Sequence, residues 1–178
     1  KAVRLVKKHW KTSPHPDFIA VWRDLMPQKA QGDALPALKW FETLVKVNPA
    51  QVDGLIAAGR AAMQAGLWGE AKRYFEQARG IEPSAALYRA FADLERQSGD
   101  SGQDVQAWLD LAAEAPAGKA WVCAETGRVY EAWAPIAQPH GSFNTMQWRV
   151  PYITDSAMLV RGGAMAGSGV FEIPKITA

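Results

Sequence analysis

The sequence predicts an all-α solenoid of helix-turn-helix repeats, followed by a small β-rich module. Three observations predict it. Apolar side chains recur at helical spacing through residues 1–116. Glycine and proline punctuate that stretch at nearly constant intervals. Beyond Pro116 the helical period is lost, and tryptophans, glycines and short strand-like pairs replace it.

The clearest unit runs from Val52 to Pro83. Leu55, Ala58, Gly59 and Ala62 form the i, i+3, i+4, i+7 stripe of a helix with one buried face. Gly66 ends that helix, since a left-handed residue is cheap only for glycine. A second helix follows from Trp68, with Ala71, Phe75 and Ala78 inward. Pro83 closes the unit because proline cannot continue a helix. Small residues at the crossing let the helices approach, with Trp68 and Phe75 expected to fill the space around them. Gly59, Gly66, Ala71, Phe75, Ala78 and Pro83 stand where the tetratricopeptide repeat has its small residue, turn glycine, alanine, aromatic, second alanine and proline. The unit therefore resembles that 34-residue motif.

Repetition strengthens the reading. Ala37, Phe41 and Pro49 precede Ala71, Phe75 and Pro83 by 34 residues each. Ala2, Val6 and Pro14 precede Ala37, Phe41 and Pro49 by 35. Gly99, Val105, Leu109, Ala112 and Pro116 repeat the pattern with small slips. About three and a half units are expected.

Taken in order, Lys1 to Trp10 reads as the end of a helix with Ala2, Val3, Val6 and Trp10 inward. Thr12 to Pro16 is a turn, and Asp17 is expected to cap a helix over Phe18–Met26. Residues 27–33 form a loop, and a helix spans Ala34–Val47. After the central unit, helices are expected over Ala85–Gln97 and Gln103–Ala115, joined by a turn at 98–102. Residues 117–151 read as a β-rich ribbon with strands at Trp121–Cys123, Val129–Tyr130 and Thr145–Trp148. Residues 152–178, which include GGAMAGSG, read as a flexible tail.

Composition is that of a globular protein, with 48% hydrophobic and 21% charged residues among 178. No stretch of 18 apolar residues suggests a membrane span. The chain begins inside what reads as the second helix of a repeat, so a fragment of a longer protein is expected. Cys123 is the single cysteine, which excludes an intramolecular disulfide. Net charge is +2 but uneven: residues 1–29 hold seven Lys or Arg against Asp17 and Asp24. Part of that cluster complements the dipole at a helix C-terminus. Its other reading is a patch for an anionic membrane or an acidic partner. Nucleic acid is not expected as a partner, because no aromatic interleaving accompanies the charge.

Residues 1–151 also resemble the C-terminal region of HemY-type proteins of bacterial haem biosynthesis. The resemblance rests on KAVRLVKKHWKTSPHPDF, on AGLWGEAKRYFE, and on the spacing of Trp121-Val122-Cys123, Thr126-Gly127, Trp133, Pro135, His140 to Phe143, Thr145, Trp148-Arg149 and Pro151. It implies a soluble domain, cytoplasmic in that family, held at the inner membrane by N-terminal helices that this fragment is expected to lack. It also implies haem-synthesis enzymes as partners and no established enzyme activity. Relatives in that family resemble a zinc ribbon whose four ligand places fall here on Cys123, Thr126, Ala137 and His140. Only two of these are zinc ligands, so no metal is expected. The ribbon should instead be held by Trp121, Trp133, Phe143 and Trp148.

The first helix of each repeat is expected to line a groove. Its outward residues read Ile19, Arg23 and Met26, then Ile56, Arg60 and Met63, then Arg89, Asp93 and Arg96. The Ile, Arg, Met triplet recurs at an offset of 37. Flexible apolar groups beside arginines suit an extended peptide with acidic residues. No catalytic motif accompanies them. The expectation is a non-enzymatic scaffold without a cofactor, taking protein partners in the groove. The alternative is a carrier of porphyrin or haem in the same groove.

Overall fold

The computed structural model describes residues 1–99, 102–116 and 118–151, with the backbone of residues 159–160. Two compact units divide the chain, Lys1–Ala117 and Gly118–Ala178. The tail expected over 152–178 otherwise lies outside the described residues.

The first unit is helical throughout. Its elements are α1 (Ala2–Thr12), α2 (Asp17–Asp24), a 3-10 turn (Gln28–Ala30), α3 (Ala34–Val47), α4 (Val52–Gln64), α5 (Trp68–Ile81), α6 (Ala85–Ser98) and α7 (Gly102–Glu114). The helix boundaries have local causes. The Asp33 carboxylate accepts the Leu35 N–H at 3.2 Å and caps α3. The Ser84 hydroxyl does the same for α6, accepting from the Leu87 N–H at 3.3 Å. Helix α4 stops at Gly66, whose φ of 69° puts it in the left-handed region. The Leu67 N–H then reaches the Ala62 carbonyl, and the Gly66 N–H the Met63 carbonyl, each at 2.9 Å. This pair of bonds satisfies carbonyls that the helix end leaves free.

Asp17 does not cap α2 as expected. It lies inside the first turn, and its own N–H donates to His15 Nδ1 at 3.2 Å. The imidazole thus takes a bond at the position where a short polar side chain was anticipated. Pro16, which has no N–H and a helical φ of −58°, occupies the cap.

Helices α4 and α5, and α6 and α7, pack as close successive pairs, α1 packs on α2 and α3, and α3 packs on α4. Helices α2 and α3 meet through Trp22 and Trp40 and count as the first pair. In the first pair Trp22 stacks on Trp40, with centroids 4.4 Å apart. In the third, Phe91 stacks on Trp108 at 4.3 Å. Between them, Gly59 lies so close to Phe75 that a Cβ there would sit 2.3 Å from Cε1. Large ring against large ring, or ring against no side chain, both fill the interhelical gap.

The core runs continuously through the stack. Trp10, Trp22, Leu44, Leu55, Phe75, Leu87 and Phe91 are fully buried within it. Each such side chain contributes about 1.5–3 kcal/mol relative to an exposed one. Trp68, expected to fill space beside Phe75, is instead 37% exposed at the start of α5. Phe75 occupies the crossing without it, and reaches Phe91 of the next pair edge-on at 5.5 Å.

The second unit holds β1 (Ala120–Cys123), β2 (Val129–Tyr130), β3 (Ile136–Ala137), β4 (Ser142–Phe143), β5 (Met146–Arg149) and β6 (Leu159–Val160). One sheet has the order β5-β1-β2-β6, with β1 antiparallel to both β2 and β5 and β6 parallel to β2. A separate antiparallel hairpin pairs Ile136 with Phe143 and Ala137 with Ser142. The aromatic residues expected to hold this unit divide. Trp121 and Trp148 lie opposite each other on β1 and β5, with ring centroids 5.3 Å apart. Trp133 and Phe143 are exposed, at 48% and 73%. The buried centre is smaller: Cys123, Ala137 and Met146, flanked by Trp121, Tyr130 and Ala134.

Candidate functional site

The first helix of each pair contributes to one cleft. Pro16, Ile19 and Arg23 come from α2 and the turn before it, Asp53, Ile56, Ala57, Arg60, Ala61 and Gln64 from α4, and Ala86 from α6. Phe41 of α3 closes its floor. The cavity measures about 560 Å³ and is open to solvent along one side. Its position follows from helix periodicity. Phe18, Trp22 and Leu25 turn one face of α2 towards the core. Ile19 and Arg23, one residue on in each case, lie beside that face, and Ile56 and Arg60 repeat the arrangement on α4.

Four of the nine residues singled out from the sequence therefore meet in one place: Ile19, Arg23, Ile56 and Arg60. The isoleucines are half-buried or buried and supply an apolar floor. Both arginines are exposed, and neither joins an ion pair among the described residues. Asp53 also lines the cleft, and its carboxylate accepts from Gln51 Nε2 at 2.9 Å. The sequence reading missed Asp53, Gln64 and Phe41. Asp53 and Gln64 stand three residues before Ile56 and four after Arg60, so helical spacing carried that signal.

The other five lie elsewhere. Met63 is buried in the core, and Met26 packs against it. A seven-residue step from Ile19 or Ile56 falls about 20° short of two full turns, which sets the methionines on the core side of the isoleucines. Arg89 and Arg96 are exposed on α6 and Asp93 is half-buried; Arg96 pairs with Asp93 at 2.9 Å. None of the three lines the cleft. The buried stripe of α6 is Leu87, Ala90, Phe91 and Leu94, 32 residues after Leu55, Ala58, Gly59 and Ala62. Arg89, Asp93 and Arg96 thus correspond to Ala57, Ala61 and Gln64, one position beyond the intended Ile56, Arg60 and Met63; on α4 those positions line the cleft, whereas α6 contributes only Ala86 to it.

The four ribbon positions retain their turns without a ligand set. The Gly127 N–H donates to the Cys123 carbonyl at 2.8 Å, and the Gly141 N–H to the Ala137 carbonyl at 2.9 Å. Cys123 and Ala137 pack together in the small core, whereas Thr126 and His140 are exposed. Cys123 Sγ lies 3.3 Å from the Thr145 hydroxyl. Burial pushes the Cys123 thiol up, but hydrogen bonds with Thr126 and Thr145 and with backbone groups outweigh it and leave the thiol below its ordinary value. Among the described residues no three His, Cys, Asp or Glu side chains gather as metal ligands would. No helix among them is long and apolar enough to cross a membrane.

Comparison with known proteins redirects the family reading. No family model matches the chain. Over 140 residues it is 34% identical to the probable magnetosome protein Mms48 of Magnetospirillum gryphiswaldense, a match covering 78% of this chain. The chain spans 30% of the length of that relative. Among solved structures, a MamA point mutant aligns with a TM-score of 0.37 and 19% identity, over 64% of this chain and 93% of that one.

The resemblance to HemY-type proteins is overturned by the match to Mms48, and the haem, porphyrin and haem-enzyme associations fall with it. The misreading has a physical source. Much of what carried it answers demands of packing and turns: Trp10 and Phe75 fill the helical core, Gly66 ends a helix, and Gly127 and Gly141 close turns. Such residues do not by themselves distinguish one family from another.

Proposed function

We propose that this chain is a non-enzymatic scaffold of the magnetosome, taking an extended, carboxylate-bearing segment of a partner protein in the cleft between α2, α4 and α6. The similarity to Mms48 supports the setting. The cleft supports the mode of binding. The observation that carries it is the pairing of Ile19–Arg23 with Ile56–Arg60 on successive first helices. Two apolar side chains and two guanidinium groups then line one cleft. An extended peptide, whose side chains point alternately to opposite faces, can offer apolar and carboxylate groups to them. Each arginine offers a planar fork matched to a carboxylate, which lysine does not reproduce. Asp53 adds a like charge against an acidic segment, and it limits where along the cleft the carboxylates can sit.

The test is capture of solubilised magnetosome proteins by the wild-type chain and by an Arg23→Glu/Arg60→Glu variant, at low and high salt. Both side chains are exposed, so the variant should melt as the wild type does. It should lose the captured partner, and wild-type capture should weaken with salt as exposed charges are screened over about 8–10 Å. Identical capture by the two proteins would remove the cleft from the proposal.

A further inference from the structure

Helix α1 carries a cationic row that its packing does not explain. Lys1, Arg4, Lys8 and Lys11 are all exposed. At 100° per residue they fall within roughly 80° of arc, on a row about 15 Å long. The opposite face of α1 is fixed, because Val6 and Trp10 are buried in the core and Lys7 lies over the Trp22 ring at 5.6 Å. The row is therefore held rigidly outward. Residues 1–16 contain no Asp or Glu, and none of the four cations joins an ion pair among the described residues. The helix dipole accounts for Lys8 and Lys11 near the C-terminus. Lys1 and Arg4 lie away from that end, with no acidic residue on α1 beside them. No partner on α1 thus accounts for half of the row. Beside it stands Leu5, 58% exposed.

We infer that this face of α1 docks on an anionic phospholipid surface. Charge complementarity calls for a polyanion, and three features select a bilayer among polyanions. Three of the four cations are lysines, compact charges on flexible stems that suit a fluid array of headgroups better than a fixed carboxylate or phosphate geometry. No aromatic side chain stands among them to stack on nucleic-acid bases. Leu5 offers apolar surface that a phosphodiester backbone cannot use and a headgroup boundary can. The face is separate from the cleft, and the inference holds whatever the cleft takes.

The experiment is co-sedimentation of the whole chain with vesicles of equal parts phosphatidylglycerol and phosphatidylcholine, and with pure phosphatidylcholine. Wild type should bind the anionic vesicles and not the neutral ones. Each basic side chain near such a surface multiplies affinity about fivefold, so an Arg4→Gln/Lys8→Gln/Lys11→Gln variant should bind about a hundredfold more weakly at low salt. Its thermal melting should match wild type, since all three side chains are exposed and glutamine is a comparable helix former. A Leu5→Gln variant should bind several-fold more weakly with the same salt dependence. Equal binding of the triple variant and wild type, or wild-type binding to neutral vesicles alone, overturns the inference. So does release of wild type from anionic vesicles by duplex DNA at equal phosphate concentration, which would identify the face as a nucleic-acid surface.

Discussion

Trp22 and Trp40 bind each other's backbone. The Trp22 indole N–H donates to the Trp40 carbonyl at 3.1 Å, and the Trp40 indole N–H donates to the Trp22 carbonyl at 2.8 Å. Their rings stack between the two bonds with an interplanar angle of 13°. The first helix pair is therefore closed by a reciprocal clasp, where the second relies on Gly59 and Phe75. This explains how α2, only eight residues long, holds its place on a fourteen-residue partner.

Replacing Trp40 with Phe keeps a ring in the stack and removes one donor. The Trp22 carbonyl then loses its indole partner, at an expected cost of about 1–3 kcal/mol. Urea unfolding followed by far-UV circular dichroism measures it, with an unchanged denaturant slope expected. A midpoint equal to wild type would mean that the clasp adds nothing to ring packing.

The Gly59 position admits no Cβ without movement, since Phe75 Cε1 lies 2.3 Å from where it would be. Gly59→Ala should destabilise by about 1–3 kcal/mol through overpacking, even though alanine is the better helix former. Adding Phe75→Leu, which shortens the opposing side chain, should restore part of the loss. Ala71 is fully buried on the same pair, and Ala71→Leu should overpack similarly. Thermal melting at or above wild type for Gly59→Ala would contradict the close crossing.

Tyr74 gives a pH dependence with a defined sign. Burial, and then its hydrogen bond to Glu42 Oε1 at 2.9 Å, raises the phenol above its ordinary value of 10.0, although Arg73 over the ring pulls it back. A raised folded value means the protonated form is favoured by folding. The stabilisation is complete below about pH 10 and lost as pH rises through the folded value. Tyr74→Phe should cost about 0.5–1.5 kcal/mol at neutral pH and flatten the alkaline decline. Denaturant midpoints at neutral and alkaline pH test this; parallel declines in both proteins would assign the effect to another group.

The ribbon should purify without stoichiometric zinc, and chelator should leave its unfolding unchanged. Ala137 has no donor atom, and Cys123 is committed to the small core with Met146. Elemental analysis checks the first statement and melting with chelator the second. One tightly held zinc per chain would require ligands from residues outside those described.

The repeat was legible because its demands are local. Gly66, Pro83 and the alanines at the crossings each answer a backbone or close-approach requirement that can be read without knowing the fold. Helix α3 begins and ends at Ala34 and Val47, the residues the periodicity indicates. What stayed hidden depends on small offsets. The cap of α4 is two residues after Pro49, whereas that of α6 is one after Pro83, and this shift moved Arg89 to a neighbouring stripe. Met26 and Met63 were misplaced because a seven-residue step does not close two turns. The β3–β4 hairpin was missed since two-residue strands carry no periodicity, and Ala137 lacks the β-branched or aromatic character that made Val129–Tyr130 legible. The family was misread from KAVRLVKKHWKTSPHPDF, AGLWGEAKRYFE and the tryptophan module, and the match to Mms48 overturned it.

The cleft is lined by α2, α4 and α6, so no single repeat possesses it. Repeat arrays touch only their neighbours, and each interface can loosen on its own. A segment seated across three first helices would act as a tie rod. Its binding free energy would enter as coupling between interfaces, so that fraying at either end becomes costlier while the segment is present. A partner bound here would then be sensed as stiffness of the array, a mechanical signal available at its ends without any change in the shape of a repeat.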